Sequence, residues 1–174
     1  MPPTDGASPG PDPRTVETWL TELGIGPAER NERDGIASWD LALDGRRRFD
    51  IRATLILDPA LACIVWVHYA PPITDGFRRS YRRLLRWNDE FPFAKFALAE
   101  DERPILTAEL PIERLDRDLL GLTLARLLAI CDQLADDSAG WIWLDGKVPP
   151  AGERVSRQHA LLDRYAGRLA ELLA

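Results

Sequence analysis

The spacing of apolar residues along the chain changes several times, and each change predicts a new secondary-structure element. Apolar residues recur every three or four positions over residues 15–23, which predicts a short amphipathic helix that ends before Gly24. From Ser38 the period becomes two, and this alternation predicts a half-buried strand that ends at the Asp44-Gly45 turn. Alternation resumes over residues 48–57, so the first two strands form a hairpin.

A third strand, a helix and a second hairpin follow from the same reasoning. Residues 63–69 are apolar on both faces apart from His68, which predicts a central strand covered on each side. Residues 75–88 place apolar side chains on one face and five arginines on the other, which predicts a surface helix capped by Asp75. Strand periodicity returns over residues 93–98 and 104–110, which predicts the second hairpin.

The C-terminal third is predicted to be mainly helical. Residues 118–135 are apolar around almost the whole helical wheel, so this helix should be the most deeply buried one and lie across the sheet. Residues 140–152 contain two tryptophans and Pro149-Pro150, and they are predicted to form an extended segment packed on the domain. Ser156 caps a last helix with a continuous leucine-rich stripe. The stripe needs a partner surface, and three are open: the monomer's own core, a second subunit, or the protein's own binding groove.

These elements predict an α+β fold with one antiparallel sheet of about five strands. The element order is α-β-β-β-α-β-β-α plus a C-terminal helix, and a chain of 174 residues is long enough for a single core. Residues 1–14 are rich in proline and glycine and are predicted to be a disordered tail. Residues 15–137 form the domain, and residues 138–174 form a tryptophan-containing extension whose amphipathic helix packs on it.

Composition and charge argue against several classes of partner. A formal net charge of -6 and a pI near 5.0 oppose binding to nucleic acid, which needs concentrated Lys and Arg. The longest apolar run is far shorter than the ~20 residues that a membrane span needs, so no membrane insertion is expected. No N-terminal signal pattern is seen, and Cys63 and Cys131 lie in apolar stretches as reduced thiols would. We therefore expect a cytoplasmic protein.

Residue types that carry catalysis or metal binding do not cluster in the sequence. His68 and His159 stand alone without the spacing of metal ligands, so no metal site is predicted. The chain contains neither a Gly-x-Ser-x-Gly element nor a glycine-rich phosphate-binding loop. The acidic clusters at 100–102 and 136–137 are typical of solvated turns. The sequence therefore predicts no catalytic residue, no cofactor and no enzyme activity.

Two groups of side chains are candidates for contacts with a partner protein. The arginines of the helix over 75–88 form the most concentrated charge in the chain, which suits an acidic peptide, although a solvated face is the alternative. Tryptophan is enriched at interface centres. Trp66 is expected in the core with Phe93 and Phe96, and the two tryptophans of the extension are expected at the surface. The candidate contact residues are Arg79, Arg82, Arg83, Arg86, Trp141 and Trp143.

The stretch over residues 84–111, LLRWNDEFPFAKFALAEDERPILTAELP, resembles the YbjN family, which is associated with bacterial sensory transduction and regulation. The element order resembles the type III secretion chaperone-like fold. The resemblance extends over about residues 15–135, although the acidic turn lacks the glycine often seen in the family. It implies a homodimer that binds peptide segments of other proteins or takes part in regulation, and it brings no catalytic residues. The matching positions are Asn88, Phe93, Lys95, Phe96, Leu110 and Pro111.

The leading hypothesis is therefore a non-catalytic protein- or peptide-binding module, chaperone-like or regulatory, that works as a homodimer. It would hold an unidentified protein or peptide client against its sheet or along an exposed apolar groove. The alternative is a small-molecule-binding regulatory domain with a pocket between the sheet and the helix over 118–135.

Overall fold

One antiparallel sheet of six strands forms one layer of the structure, and the helices pack on one of its two faces. The computed structural model describes residues 10–26, 28–73, 78–150 and 152–173, and it describes only the backbone of residues 78, 79, 172 and 173. The elements are α1 (Pro13–Glu22), β1 (Arg30–Arg33), β2 (Ile36–Leu43), β3 (Ile51–Asp58), β4 (Ala62–His68), α2 (Arg78–Glu90), β5 (Lys95–Leu98), β6 (Pro104–Pro111), α3 (Arg117–Gln133), α4 (Ala139–Ile142), α5 (His159–Arg164) and α6 (Ala166–Leu173).

The predicted α+β class is confirmed, with six strands where about five were predicted. The strand order is β1-β2-β3-β4-β6-β5, so the first four strands form a meander and β6 returns beside β4. The additional strand is β1, whose four residues are all polar and exposed and so carry no apolar alternation. It is formed by pairing with β2 across a tight turn, in which Asp34 and Gly35 adopt φ values of 54° and 80°.

The core lies between the inner face of the sheet and α3. Alternate strand residues point inward, and Trp39, Leu55 and Val65 are fully buried there. α3 is buried nearly all round because the sheet covers one side and α1, α5 and α6 cover the other. The sequence prediction of a central, deeply buried helix is therefore confirmed.

The residues after α3 differ from the extended segment predicted for 140–152. Residues 139–142 form the helical turn α4, and its Trp141 ring lies 5.8 Å from that of Trp87. Trp87 in turn contacts Tyr69 and Phe96 in an aromatic cluster on the inner face of the sheet. The extended prediction was wrong for residues 140–142, which lie in a helical turn that packs Trp141 against this cluster.

The last two helices pack against α3 of the same chain. Leu161, Leu162, Tyr165 and Leu169 are all buried in the common core. The Tyr165 hydroxyl donates a 2.9 Å hydrogen bond to the Asp118 carboxylate near the start of α3. The predicted leucine-rich stripe thus finds its described contacts within the monomer.

A network of charged groups, the Asp44 network, joins the segment before α5 to the turn between β2 and β3. The Asp44 carboxylate is completely buried and accepts hydrogen bonds from Arg157 Nη2 at 2.7 Å and Nε at 2.8 Å. Asp50 binds Arg154 at 2.6 Å and also contacts Arg157. Ser156 donates to the Asp44 carbonyl, so this serine ties the segment to the turn. The network fixes the C-terminal extension to the sheet.

Helix starts differ slightly from their predicted positions. α1 begins at Pro13, two residues early, with Asp12 accepting from the Thr15 N–H as its cap. α3 is capped by Asp116. The predicted disordered tail lies mostly outside the described residues, as does the predicted cap Asp75.

Candidate functional site

The outer face of the sheet, opposite the helices, carries an apolar patch. This outer patch consists of Ile36, Ile56, Ile64 and Trp66, with Ile36 37% exposed and Trp66 39% exposed. Ile56 pairs with Ile64 across β3 and β4, and Trp66 lies two residues further along β4 on the same face. The prediction that Trp66 lies in the core was wrong, because the described helices cover only the inner face. Exposed apolar side chains that are contiguous in this way mark interaction sites.

Trp66 lies at the centre of a row of five residues that crosses the outer face. The register places Asp40 opposite Thr54, Thr54 opposite Trp66, Trp66 opposite Thr107, and Thr107 opposite Lys95. The row therefore begins at Asp40 and ends at Lys95, each two strands away from Trp66, and the Lys95 Nζ donates to backbone carbonyls at the end of α2. Asp40 accepts a hydrogen bond from the Thr54 hydroxyl at 2.9 Å, which holds this end of the row in place.

His68 borders the outer patch on β4. Its Nε2 lies 3.4 Å from the Thr54 hydroxyl, and its Nδ1 lies 3.2 Å from the Arg103 guanidinium. Partial burial, and then the neighbouring Arg103, lower the pKa of His68 below its usual value. His68 is thus held neutral by packing in the sheet.

A second feature, the edge cleft, lies where β5 ends and β6 continues. β5 pairs with β6 only as far as the Lys95–Thr107 pair, while β6 continues to Pro111. Beyond that pair a cleft of about 440 Å³ opens between β6 and α3. Its lining includes Ala108 and Leu110 of β6 and Arg126 of α3.

One buried polar atom in this cleft, the Arg126 Nε, lacks a hydrogen-bond partner, and so does the buried Thr107 Oγ1 in the neighbouring row of the outer face. The Arg126 guanidinium lies 4.7 Å from the centre of the Phe93 ring, a cation–π contact that fixes its position. Burial, followed by the nearby Arg168, lowers the pKa of Arg126. Unsatisfied buried donors are uncommon in folded proteins and are of interest as ligand contacts.

The segment that suggested a family resemblance forms the corner between α2 and β5. Asn88 in the last turn of α2 accepts from the Phe96 N–H at 2.5 Å and donates to the Phe96 carbonyl at 3.1 Å. Lys95 Nζ donates to the Asn88 carbonyl at 2.7 Å and to the Phe91 carbonyl at 3.3 Å, close to the helix end. These residues therefore fix α2 to the edge of β5.

The contact residues predicted from the sequence lie in the helical layer, away from the outer patch. Arg82, Arg83 and Arg86 are exposed on α2, and Arg83 donates to the Asp137 carbonyl at 3.2 Å. α2 also includes Arg79, whose side chain is not described. Their role in contacts remains a prediction.

Trp141 and Trp143, the other predicted contact residues, are half-buried. Trp141 packs against the core, and the Arg48 guanidinium lies 5.9 Å from the Trp143 ring. The sequence analysis missed the edge cleft and misplaced Trp66, since both depend on which elements become neighbours.

Metal-binding clusters and membrane-spanning helices are both absent from the described part of the chain. Across 10–26, 28–73, 78–150 and 152–173, no group of three or more His, Cys, Asp or Glu residues is placed to hold a metal ion. Within the same residues, no helix has the length and apolar character to cross a membrane. Cys63 and Cys131 are buried free thiols, and burial raises their pKa values to about 12 and about 11.

Comparison with known proteins gives one family match. The family model YbjN, described as "Putative bacterial sensory transduction regulator", matches residues 12–138. The match spans α1 to the end of α3, including the outer patch and the edge cleft, and stops before α4. No curated protein matches the chain.

Proposed function

Because the chain belongs to the YbjN family, we propose that it is a non-catalytic regulatory protein that acts by binding another protein and that works as a homodimer. YbjN is a family of regulators and not a known enzyme family. The observation that supports the proposal is the outer patch, an apolar surface on a sheet face that the described helices leave uncovered. A chaperone-like role toward the bound protein and a cytoplasmic location belong to the same proposal.

The outer patch suits a second copy of this chain. In a two-fold dimer, each side of the interface presents the same residues, so the surface must be complementary to itself. A two-fold axis that runs along β4 above Trp66 exchanges the two ends of the row described above. Asp40 then faces the partner's Lys95, because each lies two strand spacings, or about 10 Å, from Trp66. The two Trp66 rings pack together at the centre.

This arrangement assigns different roles to the two sides of the molecule. The sheet face holds the dimer together, and the helical layer and the sheet edge are left for the regulated protein. The exposed arginines of α2 remain available in this dimer because they lie in the helical layer.

The test is the oligomeric state in solution, measured by light scattering after size exclusion. We expect wild type to be a dimer and Trp66→Ser to be a monomer with an unchanged circular dichroism spectrum. The matched control is Leu144→Ser, which changes a fully exposed apolar residue outside the outer patch and should leave the dimer intact.

Charge reversal tests the orientation of the two subunits. Asp40→Lys alone and Lys95→Asp alone should each weaken the dimer. The double variant should restore the dimer, because each interface then again pairs opposite charges, even though Lys95→Asp also removes the contacts of Lys95 with the end of α2. A Trp66→Ser protein that retains the dimer mass would refute the interface. A double variant as weak as the single variants would refute its two-fold geometry.

The small-molecule alternative requires a pocket between the sheet and α3. Leu120, Leu124 and Leu128 are fully buried in α3, within the common core that includes the inner face of the sheet. The edge cleft between β6 and α3 is the described space at which a small molecule would bind, and this function remains a prediction. A rise in melting temperature across a metabolite panel would support it.

A further inference from the structure

We propose that the edge cleft binds an extended acidic segment of a partner protein, which adds as a strand to β6 and places a carboxylate on Arg126. The inference rests on the proposed protein-binding function and specifies which partner chemistry the protein recognises and where. It concerns a surface separate from the centre of the outer patch.

The backbone edge of β6 that faces the cleft has no paired strand beyond Thr107. Ala108 and Leu110 pair with Val65 and Cys63 of β4 on one side, whereas the β5 register ends at Thr107 on the other side. In a strand, alternate residues direct their N–H and C=O groups to opposite edges, so part of this backbone faces the cleft. An extended peptide placed there would continue the line of β5.

The neighbouring edge shows how such backbone groups are satisfied elsewhere in the sheet. Asn88 occupies the free edge of β5 and satisfies both the N–H and the carbonyl of Phe96. No side chain is recorded in an equivalent role along residues 108–111 of β6 in the described structure. The cleft is therefore the part of this edge that can still accept a strand.

The positive charge of Arg126 in the cleft favours a ligand that carries a carboxylate. Arg47, Arg117 and Arg168 each have a carboxylate partner. Among the described residues no carboxylate lies within 4 Å of Arg126, Glu171 attracts it only from a longer distance, and its buried Nε lacks any hydrogen-bond partner. A carboxylate is the complementary ligand, because guanidinium and carboxylate form short, charge-assisted hydrogen bonds. Glu109 also lines the cleft, but its side chain alternates to the exposed outer face of the sheet.

The chain's own N-terminus is the competing occupant. Gly10 lies so close to the Ile112 side chain that a Cβ atom at Gly10 would overlap it, and Ile112 directly follows β6. Residues 1–9 include Asp5 and join the chain at this point. The experiment must therefore separate a partner segment from this internal one.

The experiment selects random octapeptides displayed on phage against the full-length protein. We expect the selected peptides to contain one Asp or Glu among residues with high strand propensity. The binding of the tightest peptide should fall at least about tenfold with Arg126→Gln, as expected for the loss of a charged hydrogen bond. Arg33→Gln, which changes an exposed arginine on β1 at the opposite edge of the sheet, is the matched control and should leave binding unchanged. Nuclear magnetic resonance should show new protection of the Glu109 backbone amide, which lies between Ala108 and Leu110 and points toward the cleft.

The other outcomes each overturn the inference in a distinguishable way. Peptides that bind Arg126→Gln as tightly as wild type, but lose affinity with Trp66→Ser, would refute the edge cleft and leave the proposed function in place. Selection of no peptide by wild type would refute the edge cleft, while the dimer assay would still test the outer patch. Peptides that bind only after deletion of residues 2–9, with Asp5→Asn perturbing the Arg126 Nε resonance, would assign the cleft to the chain's own N-terminus.

Discussion

Replacing Asp44 by asparagine tests whether the Asp44 network holds the C-terminal extension on the domain. Asp44 is fully buried, and its carboxylate accepts from the Asp50 N–H at 2.8 Å and from two nitrogens of the Arg157 guanidinium. Burial alone would raise the pKa of Asp44. The hydrogen bonds from Arg157 and Asp50 outweigh that effect and hold the pKa well below its usual range. Asp44 is therefore ionised at neutral pH, and asparagine removes the charge with little change in shape.

The structure sets the size of the expected loss in unfolding free energy. Removing one partner of a buried ion pair costs about 3–5 kcal/mol, and a hydrogen bond to a charged group contributes about 1.5–3 kcal/mol. The side chains of Arg154 and Arg157 are 44% and 46% exposed, and both keep Asp50 as a partner. Solvent therefore hydrates the guanidinium groups of both arginines in the variant and offsets part of the lost free energy of unfolding. We therefore expect Asp44→Asn to lower the free energy of unfolding by about 2–4 kcal/mol.

Urea unfolding followed by tryptophan fluorescence, at one fixed protein concentration, measures this loss. Asp163→Asn is the control, because it breaks the Arg46–Asp163 pair, in which both side chains are at least 60% exposed. Pairs of that kind contribute less than about 1 kcal/mol. The comparison therefore separates the effect of a buried charge from that of an exposed one.

The pH dependence supplies a second check with a defined sign. A carboxylate with a lowered folded-state pKa stabilises the protein above its unfolded pKa, here 3.8, and loses that contribution as pH falls through the folded value. The difference between wild type and Asp44→Asn should therefore be constant near neutral pH and shrink below about pH 4. A loss no larger than that of Asp163→Asn, or a difference that grows on acidification, would refute the reasoning.

Three further predictions follow from other contacts. His68→Gln should reduce the loss of stability seen as pH falls below about 6.5 in thermal melts, because the lowered pKa of His68 means that the unfolded state takes up the proton first. Asn88→Ala should lower the free energy of unfolding by about 1–3 kcal/mol in urea titration, since it leaves the N–H and carbonyl of Phe96 without their partner. Deleting residues 153–174 should abolish cooperative unfolding, because buried Leu161 and Leu162 leave the core with it; a cooperative transition near the wild-type midpoint would contradict this.

Apolar periodicity predicted most of the fold because most elements bury only one side. The alternation in β2 and β3 and the all-round apolar character of α3 correspond directly to their burial in the structure. β1 was missed because Arg30–Arg33 contains no apolar residue, and it exists only through its pairing with β2. The spacing of apolar residues within a segment does not indicate which other strand the segment pairs with.

The candidate site was harder to predict because it depends on which surfaces stay uncovered. The apolar character of β4 correctly predicted a central strand, but it also predicted a cover on each side, and Trp66 lies on the face without one. Arg126 is the only charged residue between Leu119 and Cys131, and its missing hydrogen-bond partner becomes visible only when β6 and Phe93 are placed beside it. Neither fact is encoded in residue spacing.

The position of the C-terminal extension limits the surfaces that are left exposed to a partner protein. The family match ends at residue 138, and α5 and α6 then return to α3 on the side away from the sheet. Tyr165 and Leu169 are buried there, so these two helices cover part of that side of α3. The outer patch is a contiguous apolar surface that the described helices leave exposed. The unpaired backbone of β6 borders the edge cleft. The outer patch and the edge cleft therefore both lie outside the surface that the extension covers.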